Sequence, residues 1–240
     1  MSAFIPKVTI DHNSIVALHK RDNGALMSVK DTEIATAMDG ILKLATTGVV
    51  DIVLPAIAAN ERQQKGQEIG DFTVFRERIE SLGIKPAMFA LPEMRLSMSF
   101  LGHATLGFAG PEWYTLQREI QQIIHPSMDW DDVQHKNWLN RYCDVSTMFA
   151  HLQANAELFV SDDGVFHAAA KKKDLLSLGA NMIETAQDAF NALRKGAVGK
   201  ASPLDMPIFD TTPEKRCTFI PTNSYNHYRQ WRKEHGLPAL

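Results

Sequence analysis

The chain has 240 residues, 45% of them hydrophobic, and a formal net charge of -3. That length and apolar content support a buried core in one large domain, or in one domain with additions. The charge balance excludes a uniformly basic nucleic-acid binder, so any surface for a polyanion has to be a local patch. Two cysteines, Cys143 and Cys217, make neither a disulfide framework nor a metal-ligand pair. A reduced, cytoplasmic protein is expected. "MSAFIPKVTIDHN" reads as a short apolar strand rather than a signal peptide. No apolar run approaches the roughly 20 residues needed to cross a bilayer, so no membrane partner is expected.

"FIPKVTID" predicts a strand that ends on an acid, and "NSIVALHK" a helix capped by Asn13 or Ser14. In "KDTEIATAMDGILKLATTG" the apolar residues Ile34, Met38, Ile41, Leu42 and Ala45 have helical spacing, with Gly48 as the stop. "VVDIVLP" reads as a second strand, "AIAANERQQKG" as a helix, and "DFTVFRERIESLG" as another that Gly83 ends. Pro86, Pro92, Pro111 and Pro126 punctuate a less regular stretch, with a short strand at "RLSMSF" and a helix at "PEWYTLQREIQQIIH". "DVSTMFAHLQANA" predicts a helix with Asp144 at its start. "ELFVSDDGVFHAAAKKKDLLSLG" is a strand, a turn and a helix, and "ANMIETAQDAFNALRKG" a strand at 181–184 with a last helix. After Gly199 the proline-rich, polar sequence predicts an extended tail with one helix near 225–235. Strands alternating with helices define an α/β fold whose mainly parallel sheet is covered by helices.

In such a sheet, ligands bind outside the carboxyl ends of the strands. Asp11 ends the first strand, and Asp162 and Asp163 follow a later one. Asp144 opens the helix leading into that later strand, and Glu61 lies one to two turns into the helix after the second. Carboxylates crowded in one cleft repel unless a cation neutralises them or some protons stay on. Oxygen ligands without a histidine or thiolate suit Mg²⁺ or Mn²⁺, and such ions activate water for phosphoryl displacement. Each acid also has an ordinary reading. Asp144 and Asp163 stand where an N-cap is worth about 1 kcal/mol. Asp162 and Asp11 suit turns, and Glu61 suits an exposed helix face.

The order of these pieces resembles the PIN-domain family of metal-dependent nucleases. "VTIDHNSIVAL" is similar to that family's opening strand and D-x-N motif, with Asp11 and Asn13 in the matching places. "VVDIVLPAIAANERQQKG" resembles its second strand and acid-bearing helix, with the acid at Glu61. "DVSTMFAHLQANAELFVSDDGVF" resembles its aspartate-led helix, strand and Thr/Ser-x-Asp-x-x-Phe turn, through Asp144, Ser161, Asp163 and Phe166. The likeness covers about residues 4–80 and 140–195. It implies a three-layer α/β/α domain over 1–199, with an insertion at about 84–139 and a C-terminal extension over 200–240. His12 departs from the threonine frequent beside the first aspartate, and Ser161 from a frequent threonine.

The resemblance implies a metal-dependent endoribonuclease. Asp11, Glu61, Asp144 and Asp163 would hold one or two Mg²⁺ or Mn²⁺ ions, with Asp162 as an outer ligand and Asn13 and Ser161 orienting the carboxylates. It also implies an RNA substrate, and, as for toxin-type relatives, an antitoxin-like protein partner and a homodimer. Arg62, Lys65, Lys171, Lys172 and Lys173 are candidates for RNA phosphates, although a charge run is also what a solvated helix face looks like. Two other readings compete. A phosphatase with Asp11 as nucleophile usually needs a second aspartate two residues on, where this chain has Asn13. A catalytically inactive PIN-like RNA-binding or scaffold module needs no working acid set.

Overall fold

A computed structural model describes residues 4–60, 72–90, 111–132 and 137–201. Five strands, β1 (Lys7–Ile10), β2 (Asp51–Pro55), β3 (Met88–Ala90), β4 (Leu158–Val160) and β5 (Ile183–Glu184), form one sheet in the order β3-β2-β1-β4-β5. Every pairing is parallel. The helices α1 (His12–Asp22), α2 (Val29–Thr46), α3 (Phe72–Ser81) and α8 (Ala186–Arg194) contribute to one apolar cluster. A second cluster is built from α4 (Pro111–Ile124), α5 (Trp138–Gln153), α6 (Gly164–His167) and α7 (Ala169–Ser177). The result is the expected α/β/α sandwich. Among the described residues no helix is long and apolar enough to cross a membrane.

Strand alternation sorts the two cores. Val8, Ile10, Leu158 and Val160 belong to the first cluster and Phe159 to the second. α2 forms where a capping box fixes its start: Ser28 accepts from the Asp31 N–H while Asp31 accepts from that of Ser28. Gly48, at a φ of +73°, ends it in a conformation that only glycine adopts freely. Thr185 caps α8 through the Asp188 N–H.

Three expectations need correction. α5 begins at Trp138, so Asp144 lies inside the helix and does not cap it. The added turns are held by the Trp138 ring, stacked on Tyr142 at 4.9 Å, and by its indole N–H on the Trp130 carbonyl. After β2 the chain makes a 3-10 turn over Ala56–Asn60, where an α-helix is expected. α1 starts at His12, with Asp11 in the cap position. β3 was not anticipated, and it places residues 88–90 of the 84–139 stretch at an edge of the same sheet. "RLSMSF" and the tail after residue 201 lie outside the described residues.

One buried polar strut crosses the second core. His151 of α5 accepts a hydrogen bond from the Thr9 hydroxyl (3.0 Å) at Nδ1 and donates from Nε2 to the Ala180 carbonyl (3.2 Å). Burial lowers its pKa from 6.5 to about 4. Between those values the unfolded chain takes up a proton that the folded chain refuses, so stability falls as pH falls. Lowering the pH from 7 to 5 should cost about 2 kcal/mol at this ring, read by urea melts. His151→Gln should remove this share of the pH dependence, leaving that of His12, also lowered to about 4 by burial, and that of Asp11 and Asp144, whose raised values act in the opposite sense. An unchanged slope in the variant would clear His151 of the effect.

Candidate functional site

The chain runs outward from β1 to β2 and β3 and then crosses back to β4 on the other side of β1, so the switch point, where open α/β sheets form their binding crevice, lies between β1 and β4. The residues following both strands line it. Asp11 is 2% exposed, and its backbone N–H bonds the Val160 carbonyl at 2.9 Å. Ser161, fully buried, donates its hydroxyl to Asp11 Oδ2 at 2.7 Å. The same hydroxyl oxygen accepts the Asp163 N–H at 3.1 Å. One serine thus fixes the side chain of one acid and the backbone of another.

Asp163 has two duties. Its Oδ1 caps α6 by accepting the Val165 N–H at 2.9 Å, and its Oδ2 accepts from the Asn13 amide at 3.3 Å. That amide also lies 3.5 Å from Asp11 Oδ2, so Asn13 spans the two carboxylates. Asp144 comes from α5 and holds His125 at 2.7 Å between Oδ2 and the ring Nε2. The turn itself is braced by His167, whose Nε2 meets the Ser161 carbonyl at 2.6 Å.

Alternation continues past the end of β4 and separates the two adjacent acids. Asp162 turns to the opposite side from Ser161 and Asp163. Its Oδ2 accepts from Ser14 of α1 at 2.8 Å and its Oδ1 from the Ala186 N–H of α8 at 3.4 Å. Its carboxylate ties two helices to the sheet and is not gathered with Asp11 and Asp163. Glu61, Arg62 and Lys65 lie outside the described residues. Of the lysine run, Lys171 donates to the Ile124 carbonyl at 2.8 Å and Lys172 pairs with Glu184 at 3.2 Å. Lys173 is exposed. Tyr114 of α4 is exposed and accepts a hydrogen bond from Arg118 at its hydroxyl, at 2.9 Å.

His125 and His167 were not read as site residues. Neither carries a spacing signal, because His125 is 19 positions from its partner Asp144 and only the packing of α4 on α5 joins them.

The electrostatics follow from burial. Loss of hydration raises the Asp11 pKa from 3.8 to about 7; the Ser161 bond opposes this, and the charges of Asp144 and Asp163 add to it. Burial also raises Asp144, against the His125 hydrogen bond and with the help of Asp163. The donors are hard oxygens, and the protein leaves their charge incompletely neutralised, which is the condition a divalent cation relieves. Among the described residues no three His, Cys, Asp or Glu side chains already surround one point. Carboxylate oxygens are the donors that Mg²⁺ or Mn²⁺ takes, although Asp11, Asp144 and Asp163 are not already arranged about one point.

No family model, curated protein or solved structure matches the chain.

Asp11 should oppose folding at neutral pH. Its folded pKa lies above its unfolded one, so its contribution is fully present below about 4 and is lost as pH rises through about 7. Asp11→Asn should therefore stabilise the metal-free protein at pH 8 by about 2–4 kcal/mol, and much less at pH 5. Urea melts at the two pH values check this. A variant less stable than wild type at pH 8 would show that the ionised carboxylate is well accommodated.

Proposed function

We propose that this chain is a metal-dependent ribonuclease of the PIN type. Asp11, Asp144 and Asp163 hold one or two Mg²⁺ or Mn²⁺ ions, with Glu61 as the fourth acid. The observation that carries this reading is the Asn13 bridge between Asp11, just past β1, and Asp163, in the turn after β4, at the switch point of a parallel sheet, with Asp144 of α5 near enough for its charge to raise Asp11. Such a crevice is where open α/β sheets bind their ligands. A divalent ion bound there supplies an acidified water and offsets charge on a phosphodiester.

The rest of the work falls to the chain. The Ser161 hydroxyl holds Asp11 in one orientation, and the Asn13 amide holds the facing oxygens of Asp11 and Asp163 in register. Asp163 keeps one oxygen on the backbone of α6, so its other oxygen cannot swing away from the crevice. A phosphatase mechanism is less well supported, since the position two residues after Asp11 is an amide already committed to bridging carboxylates. RNA as the substrate rests on the likeness of the motifs around Asp11, Asp144 and Asp163 to those of PIN nucleases.

Purified protein with Mn²⁺ should cut a mixed RNA pool, and EDTA should stop it. Asp144→Asn and Asp163→Asn should each lower the rate by about a hundredfold or more, the scale of losing one contact to developing charge. Both should stay folded: at position 163 asparagine caps α6 as well as aspartate does, and at position 144, inside α5, it keeps the shape of the aspartate without its buried charge. Wild type that binds RNA without cutting it, with both variants binding equally, would favour the inactive scaffold instead.

A further inference from the structure

We infer that His125 is a positioning residue of this site: its ring holds the Asp144 carboxylate in the orientation that a metal ion at the switch point requires. The inference rests on the nuclease reading and deepens it.

Asp144 lies in the interior of α5, where no backbone N–H is free to steady its carboxylate. His125 does that instead. With Asp144 ionised, ring Nε2 must carry the hydrogen, because a carboxylate offers only acceptors. The contact to Oδ2 is 2.7 Å, and Oδ1 has no partner among the described residues. One oxygen is pinned by the protein and the other is left for a ligand. This is the arrangement by which outer hydrogen bonds orient metal-binding carboxylates.

The histidine is itself held by a dedicated scaffold. It stands just after α4, where its own N–H bonds the Gln121 carbonyl at 2.8 Å. The fully buried Gln121 side chain donates to the carbonyls of both His125 and Met128, each at 3.0 Å. The Met128 N–H closes the turn onto the His125 carbonyl at 2.9 Å. Lys171 reaches across from α7 to the preceding carbonyl, Ile124, at 2.8 Å. A surface ion pair needs no such support, and an exposed pair contributes little to stability. The bonds instead set the place of one ring, whose side chain remains 16% exposed beside an acid 20% exposed.

The test is a Mn²⁺ titration of the full chain, followed by the electron paramagnetic resonance of free Mn²⁺, with thermal melts alongside. The variants are His125→Phe, which keeps the ring volume without a donor, His125→Gln, which keeps an N–H at similar reach, and Asp144→Asn. His125→Phe should weaken Mn²⁺ binding about 10- to 100-fold with its melting temperature little changed, and His125→Gln should restore most of the affinity. If Asp144→Asn loses Mn²⁺ while His125→Phe binds like wild type, Asp144 is a ligand and His125 does not position it. If His125→Gln folds but binds no better than His125→Phe, the hydrogen bond is not what matters and the inference falls. If wild type shows no saturable Mn²⁺ binding, the metal reading falls, and this inference with it. Should His125→Phe fail to fold, His125→Ala takes its place, with the same outcomes.

Discussion

β1 and β4 are paired so that Ile10 faces Val160, and the next N–H, from Asp11, bonds the Val160 carbonyl. The two strands therefore end level. Asp11 on one side and Ser161 to Asp163 on the other enter the same crevice at the same height. Because side chains alternate along a strand, a slip of one residue would send Asp11 and Ser161 to opposite faces. The 2.7 Å bond between them could not then form, and neither could the bridge through Asn13. The register is fixed by burial on both faces: Val8, Ile10, Leu158 and Val160 fill one core, while Phe159 fills the other and Thr9 meets His151 there. The site inherits its precision from a hydrophobic constraint.

What the core supplies, the crevice partly gives back. Asp11 and His12 are adjacent and both are buried, and burial moves each toward its neutral form. His12 Nδ1 has no hydrogen-bond partner among the described residues. Two ionisable residues in sequence at a buried strand end break the pattern that the rest of β1 follows. Such local inconsistency is expected where function, rather than folding, selects the residue. Ser161 limits the cost at Asp11, since a hydrogen bond to the charged form opposes desolvation.

The layers and the parallel sheet were legible in the sequence because they depend on short-range signals. Short apolar runs rich in β-branched residues gave β1, β2 and β4, and Gly48 marks a helix end with chemistry that acts within a few residues. Asp11 and Asp163 could be nominated because strand ends are recognisable and parallel sheets gather them, whereas Asn13 and Ser161 were reached only through the likeness to PIN nucleases. The three-residue β3 was not legible: an edge strand that short has too little pattern to rise above its surroundings. His125 was not legible either, since its partner is brought by helix packing and not by spacing. Asp162 was closer to reach. Period-two alternation continued past Val160 assigns Ser161 and Asp163 to one side and Asp162 to the other, as its bonds to Ser14 and Ala186 bear out.

The position of Asp144 changes what its side chain can do. At the start of a helix its carboxylate would have been occupied by backbone N–H groups, and the choice between cap and ligand would have been a real one. In the interior of α5 those N–H groups already serve the helix, and nothing local restrains the acid. Asp163 shows the other solution, with one oxygen spent on the backbone of α6 and one turned to the crevice. Asp144 reaches the same division by a long-range route, with one oxygen on His125 and one without a partner among the described residues. Two acids in different local structures thus arrive at one electrostatic condition, a half-restrained carboxylate beside a buried third. That condition costs free energy in an empty crevice and is relieved only when positive charge, a proton or a cation, enters it.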